Sequence, residues 1–108
     1  MTGTWHITFS DEIADWYVSL NSKERAYADR AFVRLEAVGP GLRMPHARSL
    51  GGGLYELRFM CGGVERRITY VFVAGIVKML TTFRKQRDRE TREVARARAV
   101  AARYSRGV

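Results

Sequence analysis

LYELRFMCGGVERRITYVFVAGIVKMLTTFRK, Leu54 to Lys85, decides the reading of this chain. Apolar and polar residues alternate on both sides of Gly62-Gly63, and a Gly-Gly pair between alternating runs marks a two-residue hairpin turn. Counting outward sets Cys61 opposite Val64, Phe59 opposite Arg66, Arg58 opposite Arg67, Leu57 opposite Ile68, Glu56 opposite Thr69 and Tyr55 opposite Tyr70. Tyr55, Leu57, Phe59, Ile68, Tyr70 and Phe72 then share a core face, and Tyr70 is read as packing. The other face sets Arg58 against Arg67. Like charges opposed across two strands are unfavourable by roughly 0.2–1 kcal/mol. Three arrangements relieve this: an anion bound between them, pairing with Glu56 and Glu65, or both side chains splayed into solvent.

Beyond this hairpin, Ala74-Gly75 turns the chain into Ile76 to Phe83, which is apolar on both faces apart from Lys78, as in a strand covered on both sides. Arg84 and Lys85 follow, and period-two alternation sends them to opposite faces. Closure of the turn with two or three residues leaves open which of them joins Arg58 and Arg67; Lys85 is taken as the candidate. Upstream, Trp5 to Phe9 alternates as a short strand. Ser10 suits a helix N-cap, with Asp11 and Glu12 in the first turn and Ile13, Trp16, Tyr17 and Leu20 as an apolar stripe. Asn21 and Glu24 have capping-box spacing for a second helix with Ala28, Ala31, Phe32, Leu35 and Val38 on its buried side, stopped by Gly39-Pro40-Gly41. Leu42 to Gly53 is a basic loop with a short strand near Ala47 to Leu50. Asp88 to Tyr104 reads as a helix with Val94, Ala97, Ala101 and Tyr104 on one stripe. The expected architecture is α+β: an N-terminal strand, a helical hairpin, an antiparallel sheet of about four strands and a C-terminal basic helix, in one domain spanning 1–108.

The net charge of +8 is unevenly placed. Residues 1–36 hold 4 basic and 6 acidic side chains, residues 37–83 hold 6 and 2, and residues 84–108 hold 9 and 3. Segregated positive charge favours a polyanionic partner, against the plainer reading of a solvated arginine-rich helix. No apolar run approaches the roughly 18 residues of a membrane span, and no basic-then-apolar leader opens the chain, so a cytoplasmic location is expected. Cys61 is the one cysteine, which excludes an internal disulfide and places a small hydrophobe on the core face. His6 and His46 are far apart, so metal-ligand spacing is lacking and no cofactor is expected. Gly51-Gly52-Gly53 lacks the Lys-Ser/Thr and the helix start of a phosphate loop.

The chemistry that converges is cationic. Arg58, Arg67 and Lys85 are the candidate catalytic residues, and Arg66, Arg84, Arg87, His46 and Tyr104 are candidates for wider RNA contact, with packing of the helix on the sheet the favoured role of Tyr104. Cleavage of RNA by its own 2′-hydroxyl needs in-line geometry, charge stabilisation on the phosphorane, a base and an acid. Arginine forks suit the charge, and a lysine crowded by guanidinium groups has its charged form disfavoured, which suits it to general-base work.

LYELR at Leu54 to Arg58, RRITY at Arg66 to Tyr70 and LTTFRKQ at Leu80 to Gln86, followed by a basic helix, resemble the RelE/HigB superfamily of toxins, nearest its phage-derived HigB-like group. The resemblance covers nearly the whole chain in element order. It implies the toxin of a type II toxin-antitoxin module, a ribosome-dependent, metal-independent endoribonuclease acting on mRNA. Its implied partners are the ribosome with mRNA and a helix-turn-helix (HigA/Xre-like) antitoxin. Arg58, Arg67 and Lys85 match basic positions of the family pattern, whereas Glu56 stands where some relatives carry a further basic residue. The alternatives are a non-catalytic basic RNA- or ribosome-binding module and a ParE-like gyrase-inhibiting toxin of the same fold.

Overall fold

Ser10 separates the strand His6–Phe9 (β1) from the helix Asp11–Val18 (α1), and its hydroxyl accepts the Ile13 amide at 3.2 Å, satisfying one of the free donors of the first turn. Asn21 and Glu24 exchange bonds of 2.8 and 3.0 Å and start Ser22–Val38 (α2) with the expected capping box. The structure, a computed structural model, describes residues 5–86 and 90–106. Gly39 ends α2 at a φ of 61°, where a Cβ would collide with the Trp5 indole, so only glycine fits. Because the chain leaves the helical path there into a 3-10 turn, Val38 is exposed rather than part of the buried stripe.

Four antiparallel strands follow: Ala47–Gly51 (β2), Leu54–Cys61 (β3), Val64–Val73 (β4) and Ile76–Arg84 (β5), then the helix Glu90–Arg106 (α3). The register across Gly62-Gly63 is the expected one at every pair from Cys61↔Val64 to Tyr55↔Tyr70. β1 joins the same sheet parallel to β5, giving five strands in the order β1-β5-β4-β3-β2. The sheet is therefore mixed. This is the α+β class, and it is compatible with a RelE-like fold.

Helices α1 and α2 cover one face through Ile13, Ala28, Ala31, Phe32 and Leu35, packed on Leu57, Ile68, Tyr70, Val77 and Met79. Tyr55 stacks on Tyr70 with centroids 5.5 Å apart. On the other face a smaller cluster of Leu54, Leu80 and Ala97 holds α3. Among the described residues no helix is long and apolar enough to cross a membrane.

A bulge decides which side chains reach which face. The Ala74-Gly75 turn closes with two residues, pairing Val73 with Ile76, and counting on from there sets Arg84 opposite Glu65, on the Arg67 face. Instead Thr69 pairs with Thr81 and Tyr70 with Met79, leaving Leu80 as an extra residue. The extra carbonyl is satisfied by the Ser10 hydroxyl at 2.7 Å, and Thr69 and Thr81 share a hydroxyl–hydroxyl bond. The shift sets Arg84 opposite Arg66 and returns the following residue, Lys85, to the Arg67 side.

Two arginines of α3 serve the fold. Arg96 donates to both Glu12 oxygens at 2.6 and 3.0 Å, while Arg98 donates to the Leu50 and Gly51 carbonyls at 2.6 and 3.1 Å. Burial pushes the Glu12 carboxyl up, but bonds from Arg96 and the Thr82 amide, with the Arg96 charge, outweigh it and hold Glu12 below its usual 4.5. Because the pair is partly exposed, Glu12→Ala is expected to cost about 1 kcal/mol, roughly 4–8 °C of Tm. The advantage of the wild type is fully present above about 4.5, the ordinary carboxyl value, and is lost as pH falls through the lower folded value. Thermal melts of both chains as a function of pH check this; a gap that persists unchanged in acid contradicts it.

Candidate functional site

The charge conflict at Arg58↔Arg67 is real in the register, and the structure answers it with carboxylates. Arg67 is buried, and its Nη2 lies 3.1 Å from Glu65 Oε2 and 3.7 Å from Glu90 Oε2 at the start of α3. Arg58 Nη2 lies 3.8 Å from the same Glu65 oxygen, and Lys85 Nζ is 3.8 Å from Glu65 Oε1. The three candidate catalytic cations thus meet on one carboxylate. Beneath them Glu56, fully buried, receives Arg48 Nε at 3.1 Å, Arg67 Nη1 at 3.6 Å and Arg58 Nε at 3.8 Å, all on Oε1. Glu90 also faces Arg48 at 3.8 Å.

The expected cluster of free cations is therefore corrected to an ion-paired one, four cations against three carboxylates. Pairing wins because an isolated buried charge costs far more than the cross-strand repulsion it would escape. Lys85 is half-exposed beside a carboxylate, so the crowding by guanidinium groups expected for it is replaced by an attractive contact. Burial pushes the Glu56 carboxyl up; the charge and hydrogen bond of Arg48 oppose this, Glu90 adds to it, and the net shift is upward.

Satisfaction is incomplete. Among the described residues Arg67 Nε and Nη1, Arg58 Nε and Glu56 Oε2 are buried without a hydrogen-bond partner. A buried donor left unmade costs about 1–3 kcal/mol, a cost that the Arg67 side chain bears while its charge is met by Glu56, Glu65 and Glu90.

The other sequence candidates go elsewhere. Arg66 lies on the helical-hairpin face over Trp16 at 5.2 Å and donates to Thr82 Oγ1 at 3.0 Å, with Arg84 opposite it. Burial lowers the Arg66 pKa. Neither joins Arg58 and Arg67, because they occupy the opposite parity of the strands. Tyr104 packs in the α3 cluster with Lys78 Nζ 5.0 Å from its ring centroid. His46 sits beside β3, its carbonyl accepting the Arg58 amide at 2.8 Å. Arg87 lies outside the described residues. Cys61 is buried against the Glu24 carbonyl, and burial raises its thiol. Arg48 and Glu90 were missed by the sequence reading. Arg48 faces Glu56 only because β2 pairs with β3 in a register that slips between Ser49 and Gly51, and Glu90 arrives by tertiary packing.

The fold and this face define a small basic α+β protein with an ion-paired cluster on one face of its sheet. The chain belongs to the family described as phage-derived protein Gp49-like (DUF891), whose model matches residues 15–103; it is a RelE/HigB-like toxin family, consistent with a toxin of a toxin-antitoxin module whose partner is an antitoxin. No curated protein and no solved structure matches the chain significantly.

Removing Arg67 takes one of three cations from the buried Glu56 and leaves a cavity where a fully buried side chain stood, so Arg67→Ala is expected to cost about 3 kcal/mol. The raised Glu56 carboxyl makes the folded state hold its proton more tightly than the unfolded chain. Stability should therefore fall as pH rises from about 4.5 through the higher folded value. Glu56→Gln should remove that slope. Urea unfolding of the three chains from mildly acidic to neutral pH measures both effects, and an unchanged slope in Glu56→Gln contradicts the assignment.

Proposed function

We propose that the chain is the toxin of a type II toxin-antitoxin module and an endonuclease that cuts mRNA held by the ribosome, using the RNA's own 2′-hydroxyl and the chain's own cations. The observation that carries this reading is the meeting of Arg58, Arg67 and Lys85 on the single Glu65 carboxylate. Glu65 is partly exposed near the start of the β4 strand, and a carboxylate presents the same paired oxygens as a phosphate edge. A scissile phosphate taking the place of Glu65 meets three cations at once, Nη2 being the Arg67 nitrogen that faces it.

In that placement Arg67 and Arg58 hold the non-bridging oxygens and stabilise the charge that grows on the phosphorane. The 2′-oxygen attacks phosphorus and gives up its proton. The bond to the 5′-oxygen breaks, and the departing oxygen takes a proton. The products are a 2′,3′-cyclic phosphate and a 5′-hydroxyl. Lys85, the most exposed of the three cations, is assigned to proton transfer, its ammonium giving a proton to the departing 5′-oxygen while water takes the proton of the 2′-hydroxyl. The ribosome supplies the in-line conformation that a short sheet face cannot impose alone. A helix-turn-helix antitoxin is the proposed partner that neutralises it.

The paired state of Arg67 favours one other reading, a basic module that binds RNA or the ribosome without chemistry. Controlled expression with mapping of mRNA 5′ ends separates them. Growth arrest with codon-registered cuts is expected for the wild type, with cutting reduced at least tenfold in Arg58→Ala and Lys85→Ala; both positions are less buried than Arg67, so folding is retained and checked by melting. Arrest with intact transcripts supports the binding module. Undiminished cutting in both variants overturns this placement of the site.

A further inference from the structure

β2 runs out before β3 does. Its last pair is Ala47↔Leu57, and beyond it only the His46 carbonyl reaches the Arg58 amide. Between this uncovered stretch of β3 and helix α2 lies a cleft of about 210 Å³, whose lining includes Tyr27, Arg30, Arg34, His46, Arg58 and Phe59. No carboxylate is among its lining residues. Arg30 and Arg34 stand one helical turn apart on α2, a like-charge spacing that weakens a helix unless an anion lies between them. The nearby acids are engaged elsewhere: Asp29 accepts the Tyr17 hydroxyl, and Glu24 is held in the capping box. Neither arginine takes part in an ion pair among the described residues, in contrast with Arg48, Arg58, Arg67 and Lys85, whose charges are all met within the protein. The Arg30 guanidinium carbon lies 6.0 Å from the Tyr27 ring centroid, so a flat aromatic wall borders the positive charge.

We infer that this cleft is a nucleic-acid subsite in which Arg30 and Arg34 hold a backbone phosphate of single-stranded RNA and Tyr27 offers its ring to a neighbouring base. Naming RNA as the occupant rests on the function proposed above. Arg58 belongs both to the cleft and to the Glu65 cluster, so one strand passing it contacts α2 on one side and the proposed scissile position on the other. Stacking on an aromatic ring beside a cationic track is how single strands are held without sequence preference.

The test measures anisotropy of a short labelled single-stranded RNA bound to the full chain over a salt series. The chains are the wild type, Arg30→Ala/Arg34→Ala, Arg30→Lys/Arg34→Lys and Tyr27→Ala. The double alanine variant should bind about tenfold more weakly and lose roughly 0.7 from the slope of log affinity against log salt for each phosphate contact removed. The double lysine variant should recover most of the affinity, and Tyr27→Ala should weaken binding with the slope unchanged. Both arginines point from a helix surface and alanine is the best helix former, so the variants fold, as melting verifies. Equal affinity and slope in wild type and double alanine overturn the inference, as does inorganic phosphate binding as tightly as the RNA. Cutting that continues with RNA affinity independent of Arg30 and Arg34 sinks the subsite and leaves the nuclease standing. RNA affinity that depends on them in a wild type that cuts nothing does the reverse.

Discussion

Two guanidinium groups forced opposite each other by a two-glycine turn are the constraint around which this molecule is arranged. The turn sets the register, the register sets Arg58 on Arg67, and the apolar face of the same strands prevents any slip that would separate them. Glu65 therefore has to stand above the pair and Glu56 beneath it, with Arg48 and Glu90 recruited from β2 and α3 to complete the balance. A packed hydrophobic layer on one side of the sheet thus generates an electrostatic cluster on the other.

The bulge at Leu80 links that cluster to the rest of the fold. It exists because Ser10 can cap the extra carbonyl and because two threonine hydroxyls can face each other across β4 and β5. Its effect is a change of parity, which brings Lys85 to Glu65 and leaves Arg84 with Arg66 on the side of the helical hairpin. One inserted residue decides which of two adjacent basic side chains shares a surface with Arg67.

Positive charge in this chain does three separate jobs. Arg96 and Arg98 dock α3, and Arg66 covers Trp16. Arg48, Arg58, Arg67 and Lys85 form the balanced cluster, while Arg30 and Arg34 lie over a cleft and have no ion-pair partner among the described residues. A net charge counted along the chain does not separate these roles, because each depends on what lies within a few ångströms.

The sequence by itself determined the hairpin, its register, both helix caps of the N-terminal hairpin and the α+β class. All of these rest on neighbours in the chain or on a period of two or 3.6. It also determined that Arg58 and Arg67 share a face, since that follows from counting across a single turn. Tertiary structure alone decided that β1 lies parallel to β5, that Val38 faces outward, that Lys85 rather than Arg84 reaches Glu65, and that Glu90 and Arg48 join the cluster. Those outcomes depend on pairings between residues far apart in the chain and on one bulge. Local periodicity carries no record of where a distant carboxylate will come to rest, and burial of Arg67 made such a carboxylate obligatory.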